Sequence, residues 1–297
     1  MRGDTLRAAE EVAGPEMSGD TLRVTTIQYE LRDGVKFDAF AARCESYVDE
    51  AKSNGSRWIL FPELFVAELL GGPGGPRRVH DLSDDLRDCR RLFAGLATGY
   101  ECNIVAGSWI VRSDGGYVHT SEVFLADGST AAQSKLTLNP TERLRWGLTA
   151  GCELTPISAG GVRAVVLICS DIESSDLVRL AHAREVDVIF CPTSTATTHG
   201  YDRIRYCAHA RAIESGCFVV TACTVGLLTG VDFMDRHYGA ANVIAPSDAS
   251  LGFGALLASG EPNRPMVLHA SLAIDQLRRY RACEVVPCLG QGDGGGG

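Results

Sequence analysis

Short apolar runs alternate with amphipathic stretches along this chain, and that alternation restricts the fold more than any other feature. Arg23-Val-Thr-Thr-Ile-Gln-Tyr29, Arg57-Trp-Ile-Leu-Phe61, Asn103-Ile-Val-Ala-Gly-Ser-Trp-Ile-Val111, Val165-Val-Leu-Ile168, Val186-Asp-Val-Ile-Phe-Cys191 and Phe218-Val-Val-Thr-Ala-Cys223 read as strands. Residues 37–52 place Phe40, Cys44, Val48 and Ala51 on one helical face. Residues 82–100, 177–183 and 201–214 read as further helices, and 272–282 as a last helix or extended arm. Strand and helix in turn predict an α/β fold with helices packed on sheets. A strand over 117–126, a turn at Asp127-Gly128 and a strand over 130–135 form a hairpin. With short strands over 239–269, this predicts mixed rather than all-parallel sheets. No linker divides the chain, so one domain is expected over 22–284.

The ends read differently. Gly3-Asp-Thr-Leu-Arg7 recurs as Gly19-Asp-Thr-Leu-Arg23, but two copies of five residues do not make a repeat architecture. Residues 1–21 are expected to be a flexible leader and the glycine-rich 285–297 a disordered tail. The leader has no apolar core and does not read as a secretory signal. A net charge of −9 argues against nucleic acid and anionic membrane surfaces as partners. No apolar run reaches the ~18 residues of a membrane span. The eleven cysteines are scattered, without a CxxC or a zinc-like Cys/His spacing, so neither a disulfide framework nor a metal site is indicated. A reducing, cytoplasmic setting is expected. Neither a Rossmann glycine fingerprint nor a P-loop is present, and no cofactor is implied.

Three reactive side chains stand at the ends of apolar runs. Cys169 follows Val165–Ile168 and precedes Asp171, Glu173 and Asp176, whose charges suit the first turn of a helix. A strand-to-helix corner exposes its side chain and turns free backbone N–H groups toward whatever that side chain attacks. Glu63 follows Phe61-Pro62, and Lys135 stands among apolar neighbours. Charges abutting buried strands carry a desolvation cost and are usually partnered or functional. Each has a structural alternative: a buried structural cysteine, a capping glutamate, a lysine snorkelling from a strand edge. Together they are chemically complete. A carboxylate can take the thiol proton, and a lysine with the Ser170 N–H can stabilise the oxyanion formed when sulfur attacks a carbonyl carbon.

Phe61-Pro62-Glu63, Lys135 with Glu142 seven residues on, and Ile168-Cys169-Ser170-Asp171 resemble the three signatures of the nitrilase, or carbon–nitrogen hydrolase, superfamily. Arg205-Tyr-Cys-Ala-His-Ala-Arg-Ala-Ile-Glu-Ser-Gly-Cys-Phe-Val219 resembles that family's helix and following strand, and the likeness runs from about Leu22 to Ala282. The resemblance implies a four-layer αββα sandwich and homodimers or larger assemblies paired through helical faces. It implies Cys169 as nucleophile, Glu63 as general base and Lys135 as oxyanion stabiliser. It also implies Glu142 as a supporting carboxylate, with a helix-terminal charge as the alternative.

Two departures stand out. Family members usually carry a bulky aromatic after the cysteine and Pro-Glu a few residues on; here those places hold Ser170 and Ser175-Asp176. Ser170 predicts a roomier or differently hydrogen-bonded pocket floor, and the lost proline a looser turn under Cys169. Cys-Ser-Asp is nearer the amidase-like and carbamoyl-hydrolysing branches than the nitrile-cleaving ones. The expected reaction is hydrolysis of a small amide or ureido compound. The alternatives are acyl transfer to an amine, nitrile hydrolysis and a non-catalytic binding protein. Trp146, Thr193, Ser194, Thr195, His199 and Tyr201 are candidate substrate contacts, with surface-loop chemistry as the alternative for each. Asp232, Asp235, Arg236 and His237 form a polar cluster whose default reading is a solvated loop.

Overall fold

Strands buried on both faces need cover on both, and here helices supply it from two sides. The computed structural model describes residues 21–283 except 75, 84, 85 and 184. Apart from Thr21, the expected leader and tail lie outside the described residues. One side holds the helices Phe37–Ser53 and Leu86–Gly99 over the strands Thr21–Leu31, Trp58–Leu60 and Asn103–Val105. The other holds Ser175–Ala183 and Thr198–Ser215 over Val162–Val166, Val188–Thr193 and Phe218–Leu227. The predicted face of the first helix, Phe40, Cys44, Val48 and Ala51, is fully buried.

The hydrogen-bonded network is continuous and curls on itself. Its path runs Trp109–Ser113, Gly116–Phe124, Asn103–Val105, Trp58–Leu60, Thr21–Leu31, Phe218–Leu227, Val188–Thr193, Val162–Val166, Ile157–Ala159. The halves join where Gln28–Leu31 pairs with Cys223–Gly226 in parallel register. Trp58 and Phe190 are three strands apart in that order, yet their rings stack at 4.9 Å. The sheet therefore folds back and packs face to face, giving the expected αββα layers in a single domain with mixed strand directions. Met266–Ala273 closes one edge antiparallel to Thr21–Leu31.

Several predicted elements shift for local reasons. The run over 103–111 divides into Asn103–Val105 and Trp109–Ser113, because Gly107 turns the chain with φ +64°. The helix expected over 82–100 becomes a 3-10 turn, Val79–Leu82, and a helix from Leu86. Residues 272–273 extend the last strand, and the helix begins at Ile274.

Candidate active site

The strand Trp58–Leu60 runs parallel to Asn103–Val105, and the Phe61 N–H still bonds Val105 O at 2.9 Å. Glu63 leaves the sheet just beyond, bridged to Ser108, while the Leu64 N–H donates to Ser108 O at 3.0 Å. This corner closes over Gly107: a Cβ there would lie 2.0 Å from the Pro62 carbonyl oxygen. Only glycine combines that approach with its positive φ.

Lys135 follows the strand Thr130–Ser134. Its N–H donates to His119 O at 2.7 Å and its carbonyl accepts from Gly151 N–H at 2.8 Å. Its side chain has no exposed surface, and Nζ donates to Glu63 Oε1 at 2.8 Å and Glu142 Oε1 at 2.6 Å. Burial works against the ammonium, but the two carboxylates outweigh it and hold Lys135 well above the usual lysine range.

Glu142 both caps a helix and faces Lys135. It sits in the helix Pro140–Leu144, where Asn139 Oδ1 accepts its N–H at 3.0 Å and its Oε2 accepts the Asn139 N–H at 2.8 Å. That reciprocal pair is a capping box. Its Oε1 faces Lys135. Burial opposes its ionisation, yet Lys135 and His119 hold the carboxyl down at about 2.

His119 completes the cluster and was missed in the sequence, where it reads as one more polar residue in a strand. It is fully buried, with Nδ1 2.8 Å from Glu142 Oε1 and Nε2 2.7 Å from Ser108 Oγ. Ligand atoms of Glu63, His119 and Glu142 gather within 4.8 Å, a donor set suited to a cation, and the Lys135 ammonium is bonded to both carboxylates there.

Cys169 opens a 3-10 turn, Cys169–Glu173, with φ +47°, a conformation uncommon outside glycine. The turn is fastened from three sides. Asp171 Oδ1 accepts the N–H groups of Leu136 at 3.0 Å and Thr137 at 2.5 Å, and Oδ2 accepts that of Ile168 at 3.0 Å. Ser170 Oγ donates to Thr137 O at 2.7 Å. Arg211, from the helix Thr198–Ser215, donates to the carbonyls of Ile172 and Glu173, both at 2.9 Å. These contacts hold the turn that the absent proline was expected to loosen, and they tie the cysteine loop to the segment just after Lys135. Burial lifts the Asp171 carboxyl to about 7 against the pull of Lys135 and the three N–H groups.

Burial and then the Glu63 charge push the Cys169 thiol well above its ordinary range; Lys135 and a hydrogen bond from the Ser194 N–H oppose them. This environment favours the thiol over the thiolate. The Cys169 N–H is itself turned to the Cys191 sulfur.

Among the candidate substrate contacts, Ser194 reaches Cys169 through its backbone. Thr193 is buried, with Oγ1 on Ala222 O at 2.7 Å, and Thr195 Oγ1 bonds Tyr238 O at 2.6 Å. Tyr201 is half-buried, edge-on to Tyr238 at 5.9 Å, and His199 is exposed. Trp146 is buried, its carbonyl accepting from His80 Nε2 at 2.8 Å. Asp232, Asp235 and Arg236 are exposed as expected, whereas His237 is buried and departs from the solvated-loop reading. Its Nε2 bonds Met234 O at 2.7 Å, and Nδ1 faces Thr224 Oγ1 at 2.9 Å and Ser194 Oγ at 3.1 Å.

The carbon–nitrogen hydrolase family model matches residues 23–251. A probable hydrolase, YhcX, from Bacillus subtilis is 33% identical over 263 residues, covering 88% of this chain and 51% of that protein. A deaminated glutathione amidase from Synechocystis is 28% identical, covering 55% of this chain and 53% of that protein. The chain thus spans about half the length of these relatives. Among solved structures, a nitrilase-superfamily amidase from Nesterenkonia AN1 superposes with a TM-score of 0.70 at 21% identity, covering 92% of this chain and 98% of that one. The family-model match over most of the chain, together with the 33%-identical relative, places this protein in the carbon–nitrogen hydrolase family.

Proposed function

We propose that the protein hydrolyses the C–N bond of a small amide or ureido compound through a thioester on Cys169. One observation carries this reading. A buried, protonated thiol shares its surroundings with a lysine-bound carboxylate, Glu63, whose second oxygen accepts no hydrogen bond from a described residue. Glu63 takes the thiol proton as sulfur attacks the carbonyl carbon. The oxyanion is met by Lys135 Nζ, which has one N–H beyond the two given to the carboxylates, and by the Ser170 N–H at the amino end of its 3-10 turn. Collapse breaks the C–N bond, and the proton on Glu63 leaves with ammonia or amine. Water then attacks the thioester, Glu63 accepts its proton, and release of the acid restores the thiol.

Cys169-Ser170-Asp171 and the amidase neighbours support an amide-type carbonyl over a nitrile; the Nesterenkonia amidase has been solved with butyramide. Homodimers or larger assemblies belong to the same proposal, supported by exposed Leu180, Tyr206 and Ile213 on the outer helices. So does a cytoplasmic location, supported by the scattered cysteines. Among the described residues no helix is long and apolar enough to cross a membrane.

The test is acyl-enzyme trapping. Wild type and Cys169→Ala are incubated with a panel of amides, ureido acids and nitriles, with intact mass and ammonia recorded. A substrate-sized adduct on wild type alone, with ammonia released, is expected. An adduct that turns over only when amines are added makes the protein an acyltransferase. Neither adduct nor ammonia, with Cys169 also inert to iodoacetamide, overturns the proposal.

A further inference from the structure

We infer that His119 is a positioning residue that decides which of the two buried carboxylates takes the cysteine's proton. The inference rests on the reading of Glu63, Lys135 and Cys169 as the reacting groups. Glu63 and Glu142 both direct Oε1 at Lys135 Nζ, at 2.8 and 2.6 Å. By chemical type either could serve as base, and the surroundings break the tie. Glu142 accepts three hydrogen bonds: from Lys135 and His119 Nδ1 on Oε1, and from the Asn139 N–H on Oε2. Glu63 accepts from Lys135 alone among the described residues. Hydrogen bonds to a carboxylate favour its charged form, so the saturated Glu142 stays ionised and neutralises Lys135 while Glu63 keeps lone pairs for a proton.

The tautomer of His119 follows from its partners. An ionised Glu142 only accepts, so Nδ1 carries the hydrogen. Nε2 is then the acceptor, and the Ser108 hydroxyl donates to it at 2.7 Å. Ser108 also bridges to Glu63 through the backbone, so one residue both holds the loop of Glu63 and supplies the donor that the Nε2 of this tautomer needs. The ionisable groups around the imidazole are Glu142, Glu63 at 3.9 Å and, beyond them, Lys135; Cys169, Asp171 and Cys191 complete the charge environment of that lysine and the nucleophile.

The experiment follows the rate of Cys169 alkylation by iodoacetamide against pH, which needs no substrate and stands apart from the amide-hydrolysis reading. His119→Phe keeps the ring and removes the donor. Its carboxylates should hold a proton to higher pH, moving the acid limb of the profile up by about one unit and slowing alkylation about tenfold below it. In His119→Asn the side-chain Nδ2 takes the place of imidazole Nδ1, and the wild-type profile should return. Ser108→Ala, which leaves Nε2 without its donor and the ring less firmly placed, should fall between. A folded His119→Phe with the wild-type profile overturns the inference, as does a folded His119→Asn displaced as far as His119→Phe. A wild type that alkylates normally but hydrolyses no amide would instead count against the proposed reaction alone.

Discussion

Lys135 Nζ lies 2.6 Å from Glu142 Oε1 and 0 % of the lysine side chain is exposed. With Glu63 at 2.8 Å, two carboxylates are neutralised by one ammonium in a site closed to bulk water. Such a cluster stands only while all its members are present, because removing one partner strands a buried charge.

Lys135→Met keeps the length of the side chain and removes the cation. Two carboxylates then face each other across His119 with no counter-charge. We expect a loss of about 3–5 kcal/mol in urea unfolding. Ammonia release from any amide turned over by the wild type should fall at least ~10²–10³-fold, the scale of removing an oxyanion donor. Unchanged stability would show that the cation acts in chemistry alone.

Asp171→Asn tests how the Cys169 turn is held. The carboxylate accepts from Leu136, Thr137 and Ile168, joining the residues before Cys169 to those after Lys135. An amide keeps one accepting oxygen and turns an NH2 against at least one of those donors. A cost of about 1–3 kcal/mol is expected. Alkylation of Cys169 should become faster or slower while the His119 profile shape is retained, since the loop moves and the carboxylate pair does not. Wild-type stability and alkylation would show that the Ser170 and Arg211 bonds suffice.

Cys169, Glu63 and Lys135 were legible as candidates because each ends or interrupts an apolar run, where a charge or thiol is conspicuous. The Asn139–Glu142 capping box is local and could be read from its spacing. His119, Asp171 and Arg211 were not legible in these roles. His119 meets Glu142 across 23 residues and Arg211 meets Ile172 across 39, so curling of the sheet and packing of the helix decide those contacts. His237 was hidden by its exposed neighbours, since nothing local marks which residue of a polar loop turns inward. The break at Gly107 was masked by the apolar residues on both sides of it.

Gly107→Ala tests that break. The new methyl would meet the Pro62 carbonyl oxygen at 2.0 Å, and the backbone is in the left-handed region. The two nearest atoms are Pro62 backbone and the third belongs to the buried Phe65 ring at 3.0 Å, so no flexible side-chain end is there to yield. We expect a loss of about 2–4 kcal/mol, and a larger fall in kcat than in substrate affinity because Pro62 carries Glu63. Equal activity with a lower Tm would mean that the corner relaxes away from Glu63.

Asp187 is expected to set an acid limit on stability through partners other than those of the Cys169 turn. Its carboxylate accepts from Arg278 Nη2 at 2.6 Å, from the Arg163 N–H at 3.0 Å and from Arg281, tying the helix Ile274–Ala282 to the strand Val162–Val166. Burial pushes the carboxyl up, but the Arg278 bonds, the Arg163 N–H and the Arg281 charge outweigh it and hold it below its ordinary value. A depressed native value means that the unfolded chain binds the proton more readily. The stabilisation is then full above the unfolded value of about 3.9 and is lost as pH falls through the native one. Glu142, held at about 2, acts in the same direction, so replacing Asp187 should reduce the acid slope without abolishing it. Asp187→Asn is expected to cost about 2 kcal/mol at pH 7 and progressively less below pH 4. Urea midpoints at pH 7, 5, 4 and 3 provide the check, and a constant gap between variant and wild type across that series would mean that the native and unfolded carboxyls titrate alike.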